Sequence, residues 1–194
     1  MHLDPHTALI PIDVQRAFDH APWPPRNNPA MEGNGLRLLE AWRASGRPLI
    51  HVKHDSVVPG STLAISHPGN ALRPGFEPQG DEPLVRKSVN AAFLGTDLDL
   101  RLRRLGVASV VLFGISTDMC VSTTARVAAN LGYRTIVVGD ACFCFDQPDG
   151  DGGMIPAEQI QRAHLATLRA EFAEVVDTDA LIALLERETR ACAA

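Results

Sequence analysis

Short apolar runs rich in β-branched residues alternate along the chain with longer segments whose apolar residues recur at helical spacing. Thr7–Ile12 (TALIPI), Pro48–Lys53 (PLIHVK), Val107–Phe113 (VASVVLF) and Arg134–Val138 (RTIVV) predict strands, and Leu84–Lys87 and Phe172–Val176 complete the set. Helical patterns lie between them at Met31–Ala44, Asp97–Leu105, Thr117–Leu131, Pro156–Ala170 and Thr178–Thr189. Gly46 with Pro48 ends the first helix, Gly106 the second and Gly132 the third. Near-continuous apolar strands separated by helices indicate a parallel sheet covered on both faces. The pattern predicts an α/β fold: a three-layer sandwich of six mostly parallel strands, in one domain over residues 1–194.

Two stretches interrupt this rhythm. Residues 19–30 and 54–83 hold nine of the 14 prolines and are rich in Gly and Asn. Loops of that length in a compact domain usually serve as lids or binding loops. Neither an internal repeat nor a linker is visible.

Composition narrows the class. A hydrophobic share of 45% with 21% charged residues is ordinary globular usage and excludes a disordered or disulfide-stapled chain. The formal charge of −5 does not attract a phosphate backbone, and 5% aromatics leave little for base stacking, so nucleic acid is not an expected partner. The first residues carry no basic-plus-apolar leader and no long apolar span follows, so neither export nor a membrane partner is expected. Cys120, Cys142, Cys144 and Cys192 show no Cys-x-x-Cys spacing and read as reduced thiols of a cytoplasmic protein.

Ligands of open α/β sheets bind beyond the carboxyl ends of the strands. The first strand ends in Ile12-Asp13-Val14-Gln15, the short one in Arg86-Lys87-Ser88, and the fourth runs into Gly114-Ile115-Ser116-Thr117-Asp118-Met119-Cys120. An acid, a base and a thiol therefore reach one edge from three strands. Cys120 opens a helix, where the macrodipole favours thiolate and unpaired N–H groups can hold an oxyanion. Each residue also has a bland reading: Cys120 as a small buried side chain, Asp13 as a helix cap, Lys87 as a solvated edge charge. Asp118 reads as a helix cap, and Cys142 and Cys144 as packing residues.

Taken together, these residues resemble the isochorismatase-like cysteine hydrolase superfamily, which includes nicotinamidases, N-carbamoylsarcosine amidases and ureide amidohydrolases. The resemblance covers nearly the whole chain and rests on IDVQRAF at 12–18, VRKSVNAAF at 85–93, GISTDMCVSTTARVAANLGY at 114–133 and VVGDACFCFD at 137–146. It implies a Rossmann-like strand order and a triad of Asp13, Lys87 and Cys120. It also implies a cis peptide at Ile115–Ser116, with the N–H groups of Ser116 and Cys120 as oxyanion hole. Phe18 matches an aromatic that the family places over the substrate; Trp23, Asn90, Phe93 and Ile115 are further candidates for the pocket wall. Metal-dependent nicotinamidases carry Asp-x-His after the second strand, whereas this chain has His51-Val52-Lys53-His54-Asp55-Ser56 and a later His67. His51 and His54 fall on opposite strand faces and cannot chelate together. A site from His54, Asp55 and His67 has irregular spacing, so no metal and no other cofactor are expected.

The reaction implied is hydrolysis of a C–N bond in a small amide, ureide or lactam by a thioester route. Two rivals are a vinyl ether hydrolase of isochorismatase type, with Asp13 as acid and Cys120 dispensable, and a silent oligomeric paralogue. The resemblance implies a homo-oligomer, for which the apolar segment Ala180–Leu185 offers an interface.

Overall fold

The computed structural model describes residues 2–20 and 22–192. Its centre is a parallel six-stranded sheet: β1 (Ala8–Ile12), β2 (His51–His54), β3 (Leu84–Lys87), β4 (Ser109–Ile115), β5 (Arg134–Phe143) and β8 (Glu174–Val176), in the order β3-β2-β1-β4-β5-β8. Every residue of β1 and β4 is buried, as the unbroken apolar runs require of strands covered on both faces. The helices α1 (Met31–Ser45), α2 (Leu98–Arg104), α3 (Ser122–Asn130), α4 (Ala157–Glu171) and α5 (Thr178–Cys192) supply that cover.

α1 illustrates how the pattern becomes packing. Met31, Leu38, Leu39 and Trp42 form its buried stripe, and Gly46 ends it in a left-handed conformation at φ 69°. α5 buries Leu181, Leu184 and Leu185 against α1 and β5. That spends inside the chain the apolar segment expected to serve an interface between subunits.

Gly114, on β4 beside β1, sits at φ +134°, and a Cβ there would lie 2.0 Å from the Ile12 carbonyl oxygen. Only glycine lets the two central strands approach this closely, one residue before Asp13.

Four features differ from expectation. β5 runs on to Phe143, five residues beyond the predicted end at Val138, because it bulges: Leu112 pairs with Val137 and Gly114 already with Cys142. The bulge carries Asp140, whose Oδ1 accepts the Thr178 N–H and hydroxyl at 2.8 Å each and so caps α5. The predicted helix from Thr117 divides into a π-helical turn, Thr117–Val121, followed by α3. The 19–30 loop is preceded by a short 3-10 turn at Arg16–Asp19, and a two-stranded hairpin, β6 (Gln147–Pro148) with β7 (Met154–Ile155), follows β5. Among the described residues no helix is long and apolar enough to cross a membrane.

Candidate active site

β1, β3 and the turn after β4 end side by side, and their last residues converge. Asp13 follows β1 at φ 53°, a left-handed conformation that Asp tolerates better than most residues. Its N–H donates to Val52 O at 2.9 Å and its carbonyl accepts the Gln15 N–H at 2.7 Å. The strand end is thereby turned and fixed, so the carboxylate is aimed, and the helix-cap reading falls away.

Lys87 closes β3 and sits at the centre of the cluster. Its Nζ donates to Asp13 Oδ2 at 2.6 Å, to His54 Nδ1 at 3.1 Å and to Cys120 Sγ at 3.3 Å. Its side chain is 0% and that of Asp13 1% exposed, which rules out the solvated-edge reading. Cys120 is half-buried in the π-helical turn, with Asn90 Oδ1 4.0 Å from its sulfur. Asp13 Oδ1 is buried without a hydrogen-bond partner, and a carboxylate oxygen of Asp13 lies within 4.8 Å of Sγ. Oδ1 is the carboxylate oxygen left free to accept a proton.

Burial drives the electrostatics. It raises the Asp13 carboxyl above the ordinary carboxylate range, against the pull of Lys87. It also pushes the Cys120 thiol well up, helped by the Asp13 charge and opposed by Lys87. Burial thus opposes the thiolate that a helix N-terminus would favour, and the cysteine lies in a π turn ahead of α3.

The pocket candidates separate. Phe18, Trp23 and Phe145 form one aromatic cluster, with ring centroids 4.8 Å (Phe18–Trp23), 5.9 Å (Phe18–Phe145) and 5.0 Å (Trp23–Phe145) apart. Phe18 follows β1 and Phe145 follows β5, the two strands flanking β4, so this wall borders the cysteine turn. Trp23 Nε1 donates to Thr62 Oγ1 at 3.2 Å, joining the two Pro-rich loops. Asn90 is exposed beside the sulfur. Phe93 instead stacks on Tyr133, with centroids 5.8 Å apart, and belongs to the core. Ile115 is wholly buried, which leaves its side chain no surface for a substrate. The Ile115–Ser116 peptide is cis, and the Ser116 carbonyl accepts the N–H groups of Met119 and Val121. Asp118 does not cap the turn; its Oδ2 accepts from Gln147 Nε2 at 2.5 Å. Cys142 and Cys144 are buried free thiols, both raised by burial, Cys142 to about 12. The side chain of Cys192 lies outside the described residues.

His54, Asp55 and His67 do not assemble. Asp55 is held by Arg86 Nε at 2.5 Å and by Asn70 Nδ2 at 3.0 Å, while His67 Nδ1 accepts the Gly69 N–H at 2.9 Å. His51, on the opposite face of β2, donates from Nε2 to Glu82 Oε2 at 2.8 Å. Among the described residues, the donors within metal-binding reach of one another are those of Asp13, His54 and Cys120. The Lys87 ammonium stands among these atoms as their cation. Sequence reasoning missed the place of His54 in this cluster, and it missed Phe145. The signal for His54 was there: strand ends pair in register, and His54 lies directly opposite Lys87.

Residues 7–180 match the Isochorismatase domain. The chain is 39% identical over 175 residues to YrdC, an uncharacterized isochorismatase family protein of Bacillus subtilis, covering 90% of this chain and 94% of that one. It is 33% identical over 158 residues to a streptothricin hydrolase of Streptomyces noursei, covering 80% of this chain and 57% of the relative. The crystal structure of an isochorismatase family protein from Chromobacterium violaceum superposes with a TM-score of 0.92 at 39% identity, over 96% of this chain and 97% of that one. The chain thus belongs to the isochorismatase family of hydrolases.

Proposed function

We propose that this protein is a cysteine-dependent hydrolase that opens a C–N bond of a small amide, ureide or lactam through a thioester on Cys120. The observation that carries this reading is the buried contact of one ammonium, Lys87 Nζ, with both Asp13 at 2.6 Å and Cys120 at 3.3 Å. A vinyl ether hydrolysis needs an acid and has no use for that thiol.

In this mechanism Asp13 takes the Cys120 proton and the sulfur attacks the carbonyl carbon. Burial raises the Asp13 carboxyl and so makes it a stronger base than an exposed carboxylate, and its unpaired Oδ1 is the place for the proton. Lys87, 3.3 Å from the sulfur, stabilises the thiolate as it forms. The N–H groups of Ser116 and Cys120 receive the oxyanion, a donor pair of which each member is typically worth ~3 kcal/mol. Asp13 returns the proton to the nitrogen as the C–N bond breaks, which releases ammonia or an amine from an amide or ureide and frees the amine at the far end of the same acyl chain from a lactam. Water then adds to the thioester, Asp13 accepts its proton, and the acid departs as Cys120 regains its hydrogen. The kinship with a streptothricin hydrolase supports hydrolysis of a small molecule.

The test is release of ammonia or amine from a panel of small amides, ureides and lactams by wild type, Cys120→Ala and Asp13→Asn. Release that vanishes in both variants while each still gives the circular dichroism of a folded chain is the expected result, with Asp13→Asn the less stable because it leaves Lys87 uncompensated. Ammonia or amine release retained by Cys120→Ala would overturn the thioester route.

A further inference from the structure

His54 is the one member of the cluster for which the thioester route has no task, yet three side-chain hydrogen bonds hold its backbone in place. The buried Gln15 side chain grips its backbone from both sides: Gln15 Oε1 accepts the His54 N–H and Gln15 Nε2 donates to the His54 carbonyl, each at 2.9 Å. Asn70 Nδ2 adds a third bond to the same carbonyl at 3.1 Å. The register of β2 and β3 sets His54 against Lys87. Its Nδ1 then meets the ammonium at 3.1 Å.

An ammonium has three N–H bonds. Two point at Asp13 Oδ2 and Cys120 Sγ, and the third at His54 Nδ1. Because the lysine can only donate, this nitrogen must be the unprotonated one, and the imidazole carries its hydrogen on Nε2. Burial and the Lys87 charge both hold the ring below its ordinary range, in keeping with a neutral acceptor.

We propose that His54 is a positioning residue for the reaction: by accepting the third N–H of Lys87 it orients the ammonium so that its other two bonds reach Asp13 and Cys120. Without an acceptor at that point the ammonium turns toward the carboxylate, its stronger partner, and leaves the sulfur. The thiolate then loses the positive charge that stabilises it. His54 itself touches neither the sulfur nor the Asp13 carboxylate by any hydrogen bond among the described residues. Its effect passes through Lys87.

This inference rests on the thioester reading for its catalytic meaning, but its physical content can be measured without a substrate. The probe is iodoacetamide, with alkylation of Cys120 followed by peptide mass spectrometry at pH 8. His54→Leu and His54→Ala remove the acceptor, whereas His54→Asn places an amide oxygen close to where Nδ1 was. Expected is a fall of about tenfold in the alkylation rate for Leu and Ala, the scale of a lost charge-assisted hydrogen bond. Asn should recover most of the wild-type rate. Once the panel has supplied a substrate, kcat should follow the same order while KM changes little. A structural role would not separate Asn from Leu. Wild-type alkylation in both Leu and Ala overturns the proposal, and so does an Asn variant as slow as Leu. A failure of the hydrolase reading shows differently, as absence of turnover with the alkylation order intact.

Discussion

Lys87 Nζ and Asp13 Oδ2 form a 2.6 Å ion pair at a depth where neither side chain is more than 1% exposed. Burying two charges is costly, and such a pair is rarely there for stability. It does make each partner dependent on the other. Lys87→Met should leave the carboxylate uncompensated and cost about 3–5 kcal/mol at pH 8. The pH dependence has a definite sign. The Asp13 carboxyl is already raised in the folded protein by burial, and losing Lys87 raises it further. The folded variant therefore binds its proton more tightly than the unfolded chain does, so stability is present at low pH and lost as pH rises. Urea unfolding at pH 5 and pH 8 should show the larger deficit at pH 8, and Asp13→Asn added to Lys87→Met should recover part of it. Equal deficits at both pH values would mean that the pair is not coupled as described.

Gly114 is the backbone counterpart of that pair, because it lets β4 lie close enough to β1 for the two strand ends to share one site. Gly114→Ala would put a Cβ 2.0 Å from the Ile12 carbonyl oxygen at φ +134°. A loss of about 4 kcal/mol or more, or failure to fold, is expected on steric grounds. Gly106→Ala is the control: φ is +67° but nothing lies within 4 Å, and about 1 kcal/mol should suffice. Thermal unfolding of the two variants checks the contrast.

The thiols should differ in reactivity by their surroundings. Cys142 and Cys144 are 0% exposed and Cys142 donates to Val138 O at 3.3 Å. Cys120 is half-buried and beside an ammonium. In the native protein at pH 8, iodoacetamide should label Cys120 at least about tenfold faster than Cys142 or Cys144. In urea the three rates should converge. Peptide mapping of timed samples would show native labelling of Cys142 or Cys144 if the burial is wrong.

The layers were legible from local signals, since TALIPI and VASVVLF read as strands buried on both faces. The strand order and the triad came with the family resemblance, because Asp13, Lys87 and Cys120 each also allowed a bland reading on local pattern alone. His54 was read only as a possible metal ligand. The alternation correctly put it opposite His51, but which of the two faces the site depends on the β2–β3 register. Phe145 was missed because the bulge around Asp140 lengthens β5, and no composition rule announces a bulge. Phe93 was misplaced for the converse reason: it follows Lys87 closely in sequence, but the chain turns after β3 and carries its ring to Tyr133. The thiol's resting state depends on desolvation, which belongs to the assembled fold.

The two Pro-rich loops are joined by two side-chain hydrogen bonds among the described residues, from Arg73 Nη2 to Asp19 Oδ1 at 2.8 Å and, on the side of the aromatic wall, from Trp23 Nε1 to Thr62 Oγ1 at 3.2 Å. The same indole lies on Phe145, 5.0 Å between centroids at 27°, so the bond holds the loops and the aromatic wall in one arrangement. Thr62→Val keeps the side-chain shape and removes the acceptor; Trp23→Phe keeps a ring and removes the donor. Each should raise KM about threefold to tenfold, the scale of one neutral hydrogen bond. kcat should stay within about twofold, since the bond does not touch the groups that do the chemistry. The double variant should cost little more than Thr62→Val alone, because either change already breaks the bond. Fully additive effects would mean that the two residues act on the substrate separately, and that the loops are not clamped through this pair.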